Sequence, residues 1–169
     1  MIYHAPSPQE ALTQGDILDD CPLLYWEVPS PAGAEPDINS VTARVRVVVL
    51  TQACDLAQAK ATRVLVAIVH NAGQLVRGGI LRDNLIRDHI RSHRVYGWYF
   101  LPGGQGIEES IVDLRHLHTV PRIVLDRLIR EGKRVTNICT PYREHLAQHF
   151  ATTYSRIGLP KPYETEADW

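Results

Sequence analysis

Two rhythms of apolar residues run through the chain. Val41–Thr51 (VTARVRVVVLT) and Arg63–His70 (RVLVAIVH) are compact β-branched runs and predict buried strands. Gln14–Leu18 (QGDIL) reads as a turn feeding a first strand, and Arg94–Leu101 (RVYGWYFL) as an aromatic strand stopped by Pro102-Gly103-Gly104. Ser110–Leu114 and Val135–Ile138 predict two further short strands. Ile80–Ile90 instead shows helical spacing, with Ile80, Leu81, Leu85, Ile86, His89 and Ile90 recurring at it. A helix is expected from Pro121, capped by Thr119, to just before Gly132. A last helix begins after Thr140 as N-cap with Pro141 in its first turn. Tyr142, Leu146, Phe150 and Tyr154 give it an apolar stripe, and Gly158 and Pro160 stop it.

Between these elements, residues 3–12, 52–62 and 71–79 read as loose or turning, and Pro29–Asn39 as a loop. The expected organisation is an N-terminal extension over 1–13, one domain over 14–160 and a tail over 161–169. Strands dominate and helices are inserted and appended, so the fold class is α+β with a mostly antiparallel sheet.

Composition narrows the classes. The 169 residues are 44% hydrophobic and 22% charged, which suits one globular domain and excludes a disordered or collagen-like chain. No stretch approaches the ~20 apolar residues of a membrane-spanning helix. The N-terminus lacks the basic and apolar regions of a secretory signal. Cys21, Cys54 and Cys139 form no CxxC pattern, so reduced thiols in a cytoplasm are expected, with no cofactor implied. Charge is unevenly distributed. Residues 1–43 hold seven acids and no Lys or Arg, giving −7, and the remainder sums to +6. Arg77–Arg94 is the densest basic stretch, either a polyanion surface or a solvated helix face with internal ion pairs.

The order QGDIL, RVRVVVLT, RVLVAIVHN, YFLP, SIVDLRHLHTV and a terminal helix ending in GL resembles the PemK/MazF/Kid group of bacterial toxins. That resemblance implies a small SH3-like β-barrel with an inserted helix and C-terminal helices. It also implies a possible homodimer and metal-independent cleavage of single-stranded RNA, in a toxin or antiphage-defence setting. The sequence departs from the family pattern at the chemistry. The R-P pair is missing near Arg44 and Arg46, the family's Thr or Ser after the third strand falls on His70, and the 71–93 insert is long. A second resemblance is to uncharacterised bacterial proteins carrying TQxCDL (Thr51–Leu56), PYREHLxQxF (Pro141–Phe150) and RxGLP (Arg156–Pro160).

Candidate chemistry follows from residue types. Arg44 and Arg46 alternate on one strand face and suit a phosphate, with His70 or His93 as acid or base near neutral pH. The competing reading is an arginine-rich solvent face. Thr51, Gln52, Cys54 and Asp55 sit at a strand exit and suit a ligand pocket; Cys54 is either a nucleophile or a small buried hydrophobe. His145 and His149, one helical turn apart, could chelate zinc or simply pack. His116 and His118 alternate at a strand end. Tyr96, Trp98 and Phe100 give an aromatic face suited to a core or to stacked bases. The alternative function is a non-catalytic binding or adaptor domain on the same scaffold. It would take RNA or another phosphate-rich ligand, or a protein partner docking on the acidic N-terminal segment, the C-terminal helix, Trp26 or Trp169.

Overall fold

A computed structural model describes residues 1–27, 39–58 and 60–155. Seven strands form one antiparallel sheet in an α+β arrangement. They are β1 (Tyr3–His4), β2 (Asp16–Glu27), β3 (Asn39–Val49), β4 (Arg63–Asn71), β5 (Trp98–Leu101), β6 (Ser110–Pro121) and β7 (Arg134–Ile138). Their order is β1-β7-β2-β3-β4-β6-β5. The GDIL entry and the two valine-rich runs are thus consecutive neighbours β2, β3 and β4. The helices are α1 (Ala53–Ala57), α2 (Ala72–Arg77), α3 (Asp83–Leu85), α4 (Arg122–Arg130) and α5 (Tyr142–Tyr154). A single π-helical turn, Ile86–Ile90, continues α3.

Strand alternation divides the interior. On one face Leu18, Val47, Val49, Val64, Val66 and Ile68 pack against Leu56 of α1 and Leu125, Leu128 and Ile129 of α4. On the other, Ile17, Val48, Ala67, Val69, Val112 and Ile138 surround Tyr3, Tyr99, Leu101 and Leu146 of α5. Beyond β5 and β6, Trp98, Phe100 and Ile111 pack on Leu75, Leu81, Ile86 and Ile90. Val47–Val49 and Val64–Val69 carry residues to both faces and read as continuous apolar runs, whereas Val41 and Thr42, expected in a buried strand, are exposed and the strand ends at Val49.

The sheet curls but does not close into a barrel. β1 and β5, at its two ends, share no ladder among the described residues. The edges meet through one side chain: the Tyr3 hydroxyl donates to the Pro102 carbonyl at 2.7 Å. Two residues of β1 and four of β5 are too short to zip together across the gap. Tyr3→Phe keeps the buried ring and loses that bond; an increase in urea sensitivity of about 1 kcal/mol is expected at unchanged cooperativity.

Several expectations shift on contact with the tertiary structure. Residues 3–12 are not loose: Tyr3 and His4 pair with β7, and Arg134 donates to the carbonyls of Ser7, Glu10 and Ala11. The turn at 71–79 contains α2, capped by the Asn71 side chain accepting from Gln74 N–H at 2.9 Å. The helix over 80–90 is shortened to α3 plus the π turn. The aromatic strand begins only at Trp98, because Gly97 lies at φ +85 with Arg115 packed over it. β6 runs on past Leu114 to Pro121, so Thr119 lies within a strand, bonded to Arg63, and Pro121 rather than Thr119 precedes α4. In α5, only Leu146 and Phe150 of the predicted stripe pack inward; Tyr142 and Tyr154 are exposed. A strict four-residue repeat drifts about 40° per step around a helix, so its ends leave the buried side. Gly158, Pro160, the tail, most of the Pro29–Asn39 loop and Trp169 lie outside the described residues. Among the described residues no helix is long and apolar enough to cross a membrane.

Candidate functional site

The residues singled out by sequence fall into three places. Antiparallel pairing is the reason. Val47 faces Ile68 and Val49 faces Val66, so the exit of β3 lies beside the entrance of β4. Thr51 sits there, its Oγ1 accepting from Leu65 N–H at 2.7 Å. His70 is five residues further along β4, about 17 Å away at strand rise. The strand exits therefore lie at opposite ends of the sheet and do not gather at one rim.

At the first place, Gln52 precedes α1, and the Cys54 thiol lies 3.6 Å from Gln52 Oε1 and 3.9 Å from Asp55 Oδ1. Cys54 is exposed, not a buried hydrophobe; Cys21 is the buried thiol, and burial pushes its pKa to about 11. All three cysteines are free.

At the second, Arg46 and His70 do share a polar hollow of about 370 Å³, with Asn71, Gln74 and Glu108. Its cation is already engaged. Arg46 donates to both oxygens of Asp19, at 2.5 and 3.0 Å. Arg44 faces a separate hollow and donates to the Asp20 carbonyl at 3.3 Å. The acidic segment is dispersed in the same way. Asp16 pairs with Arg134, Asp19 with Arg46 and Asp20 with Lys133. Charge that is segregated along the chain is interleaved in space, so this part of the segment does not stand as a bare acidic strip. His116 and Arg115 both turn to the buried Asp113, whose carboxyl burial alone would raise but which the Arg115 bonds hold below its ordinary value. His118 packs edge-on against Tyr25.

The third place is a cleft of about 710 Å³ between β5, the segment after the π turn and the first turns of α5. His93 enters it from a left-handed backbone position, φ +56, an uncommon conformation for a residue with a side chain. Its ring stacks on Tyr99 at 4.6 Å between centroids. His145 meets it edge-on at 4.6 Å and His149 at 5.9 Å. The i,i+4 spacing on α5 delivers both of these rings to one side. Tyr99 reaches the cleft because it alternates with Trp98 and Phe100, which point into the outer core. Its hydroxyl lies 3.0 Å from His145 Nδ1, and burial raises its pKa to about 12, so it stays protonated. Arg91 lines the same cleft with its guanidinium 5.8 Å from the Phe100 ring centre, and it forms no ion pair among the described residues.

Burial, then the neighbouring imidazoles His145 and His149, push the His93 pKa down. His149 is shifted the same way, by burial first and His145 second, against an opposing pull from the backbone at Trp98 and Val95. His93 Nδ1 and His149 Nε2 are buried without a hydrogen-bond partner. Two charged rings at this spacing would repel by about 3 kcal/mol at an effective dielectric of 20, so the cluster disfavours a second proton. No three His, Cys, Asp or Glu side chains among the described residues are placed to hold a metal ion.

These shifts have a stability consequence. His70, His93, His118 and His149 all sit below the ordinary value of 6.5, each through burial first. The unfolded chain then binds more protons than the fold as pH drops through 6.5. Stability is present above 6.5 and is lost on acidification towards the folded values. Thermal melts from pH 7.5 to 5 are expected to show a falling Tm, and His149→Phe, which removes one such group, a shallower fall.

Sequence singled out His93 as an acid or base and His145/His149 as a pair, but not their meeting; Tyr99 and Arg91 carried no such signal beyond an aromatic alternation and a basic stretch. A scan against protein-family models finds no match, and no curated protein is significantly similar to the chain.

Proposed function

We propose that the chain acts on single-stranded RNA as a metal-independent endoribonuclease of toxin or antiphage type, and that the cleft holding Arg91, His93, Tyr99 and His145 is its centre. The single observation that carries this reading is the convergence in one open cleft of two mutually contacting histidines and an arginine that forms no ion pair among the described residues. Such a set matches what cleavage at a ribose 2′-hydroxyl needs. Neutral His93 takes the 2′-hydroxyl proton as the 2′-oxygen bonds to phosphorus. Protonated His145 gives its proton to the departing 5′-oxygen as the P–O5′ bond breaks. The products are a 2′,3′-cyclic phosphate and a 5′-hydroxyl. Arg91 balances the charge that develops on the non-bridging oxygens. Tyr99 occupies His145 Nδ1 and leaves Nε2 for the proton transfer. The chemistry thereby moves from Arg44, Arg46 and His70 to the cleft, because Arg46 is neutralised by Asp19. The scaffold, in this reading, is an opened relative of the SH3-like barrel that the sequence resembles.

The test is direct. End-labelled single-stranded RNAs of mixed sequence are incubated with pure protein in excess chelator. Cleavage to cyclic-phosphate ends, reduced in Arg91→Ala, is expected; intact RNA at every protein concentration would remove the enzyme reading.

A second reading, a non-catalytic adaptor, draws support from the hairpin of β2 and β3. Beyond Leu18 and before Val47 these strands pair only with each other, and their ribbon leaves Leu24 and Trp26 54% and 67% exposed. RNA binding that survives without cleavage would favour it.

A further inference from the structure

The first turns of α5 present two adjacent rows to the cleft. One is the histidine row, of which His145 lines the cleft and His149 lies buried behind it. The other is Glu144 and Gln148, also one turn apart and also lining the cleft. Resting on the RNA reading above, we propose that this second row reads a base, and that the base is guanine.

Glu144 is held for the task. Three side-chain donors converge on one carboxylate oxygen, Oε1: Thr140 Oγ1 at 2.9 Å and Arg143 Nη2 and Nε at 2.8 and 3.2 Å. None donates to Oε2, and the side chain is half exposed. Arg143 first, and Thr140 after it, keep the carboxyl below its ordinary pKa, so it is a fixed acceptor. Gln148 lines the cleft with a side-chain amide that has no partner among the described residues; its backbone is held in α5, where the carbonyl also accepts from Thr152 Oγ1. Residues i and i+4 stand about 5–6 Å apart at Cβ. That spacing suits the Watson–Crick edge of one base.

The chemistry of the row selects which base. A carboxylate accepts and cannot donate, so it requires adjacent donors on the ligand. Guanine offers N1–H and the 2-amino group side by side, next to the O6 acceptor. Glu144 accepts both donors on Oε2, the oxygen that Thr140 and Arg143 leave open, and the Gln148 amide donates to O6. Adenine and cytosine each set an unprotonated ring nitrogen beside their amino group, and uracil flanks its one N–H with carbonyls. Each of these offers the carboxylate one N–H on that edge, where guanine offers two, and so forgoes one charge-assisted bond. Tyr142, 40% exposed on the same turn, supplies a ring against which the base can stack.

The probes are fluorescein-labelled 2′-fluoro pentamers, UUGUU, UUIUU and UUAUU, which lack the attacking hydroxyl and report binding alone. Inosine differs from guanosine only by the 2-amino group. The wild-type chain is expected to bind the guanosine pentamer about tenfold more tightly than the inosine one, and more tightly still than the adenosine one. Glu144→Gln should bring guanosine down to the adenosine level and leave adenosine binding unchanged. Gln148→Leu should weaken guanosine and inosine alike, since both carry O6. Circular dichroism of each variant confirms that it is folded. Equal binding of all three pentamers by the wild type, or a guanosine preference that survives Glu144→Gln, would overturn base reading while leaving the RNA reading standing. Failure of every pentamer to bind would instead remove the RNA reading, and this inference with it.

Discussion

RNA cleavage in His93→Ala or His145→Ala is expected to fall by about 100- to 10,000-fold, the span typical of removing a positioned acid or base. The two substitutions should differ in their pH dependence. His93 sits below 6.5 because it is buried beside His145 and His149, so the rate of the wild type should fall on acidification only below 6.5, as the base becomes protonated. His93→Ala should lose that acid limb as well as the rate; a hollow that merely loosened would lower the rate and keep the limb. Tyr99→Phe adds a control. It keeps the stacked ring and frees His145 Nδ1, so a rate loss with unchanged affinity for RNA would assign Tyr99 to positioning the imidazole. Single-turnover rates between pH 5 and 8 provide the measurement. Full activity in either histidine variant would relocate the chemistry, with Arg46 and His70 as the remaining pair in one hollow.

The largest stability effect is expected at Asp16. Its side chain is wholly buried, yet it is a carboxylate. It accepts from Thr13 N–H at 2.9 Å, from Asn137 Nδ2 at 2.9 Å and from Arg134 Nη1 at 3.2 Å. Burial is strong enough to hold its pKa above the ordinary value despite these donors. Arg134 is nearly as buried, and its remaining bonds go to the carbonyls of Ser7, Glu10 and Ala11. Asp16→Ala would leave that guanidinium without its counter-charge inside the fold, a loss of about 3–5 kcal/mol. Asp16→Asn preserves the shape and one acceptor and should cost less. Urea denaturation separates the two. A loss below 1 kcal/mol in Asp16→Ala would mean that water or a shifted Arg134 relieves the charge. Because Arg134 ties residues 7–11 to β7, the alanine variant should also expose the N-terminal segment first to limited proteolysis.

Legibility differed by the range of the forces involved. β4 and the second half of β3 could be read from local rhythm, because a strand buried on both faces must be apolar at nearly every position; the run of β2 on to Glu27 and the exposed start of β3 could not, and β7 was legible only as a short run. The limits of β5 and β6 could not. Gly97 ends one by a close approach of Arg115, and pairing with β4 extends the other, and both partners are distant in sequence. At the site, the i,i+4 histidines of α5 were plain in the sequence, as was the isolated His93. Their convergence with Tyr99 was not, since 46 residues separate Tyr99 from His145. The expected grouping of Arg44, Arg46, His70 and the Thr51–Asp55 turn was incomplete for a simple reason. Strand exits share a rim in a parallel sheet, whereas antiparallel neighbours send them to opposite ends.

By itself the chain's order of residues determined an antiparallel α+β architecture and the stock of histidines and arginines available for chemistry. These depend on burial and backbone geometry within a few residues. Only the tertiary structure decided that the sheet stops short of closure and that Asp19 of β2 quenches Arg46. It also decided that the remaining histidines meet beside Arg91. Each of those outcomes is a choice among distant partners of like chemistry, and such a choice is made by three-dimensional packing, which local pattern does not encode.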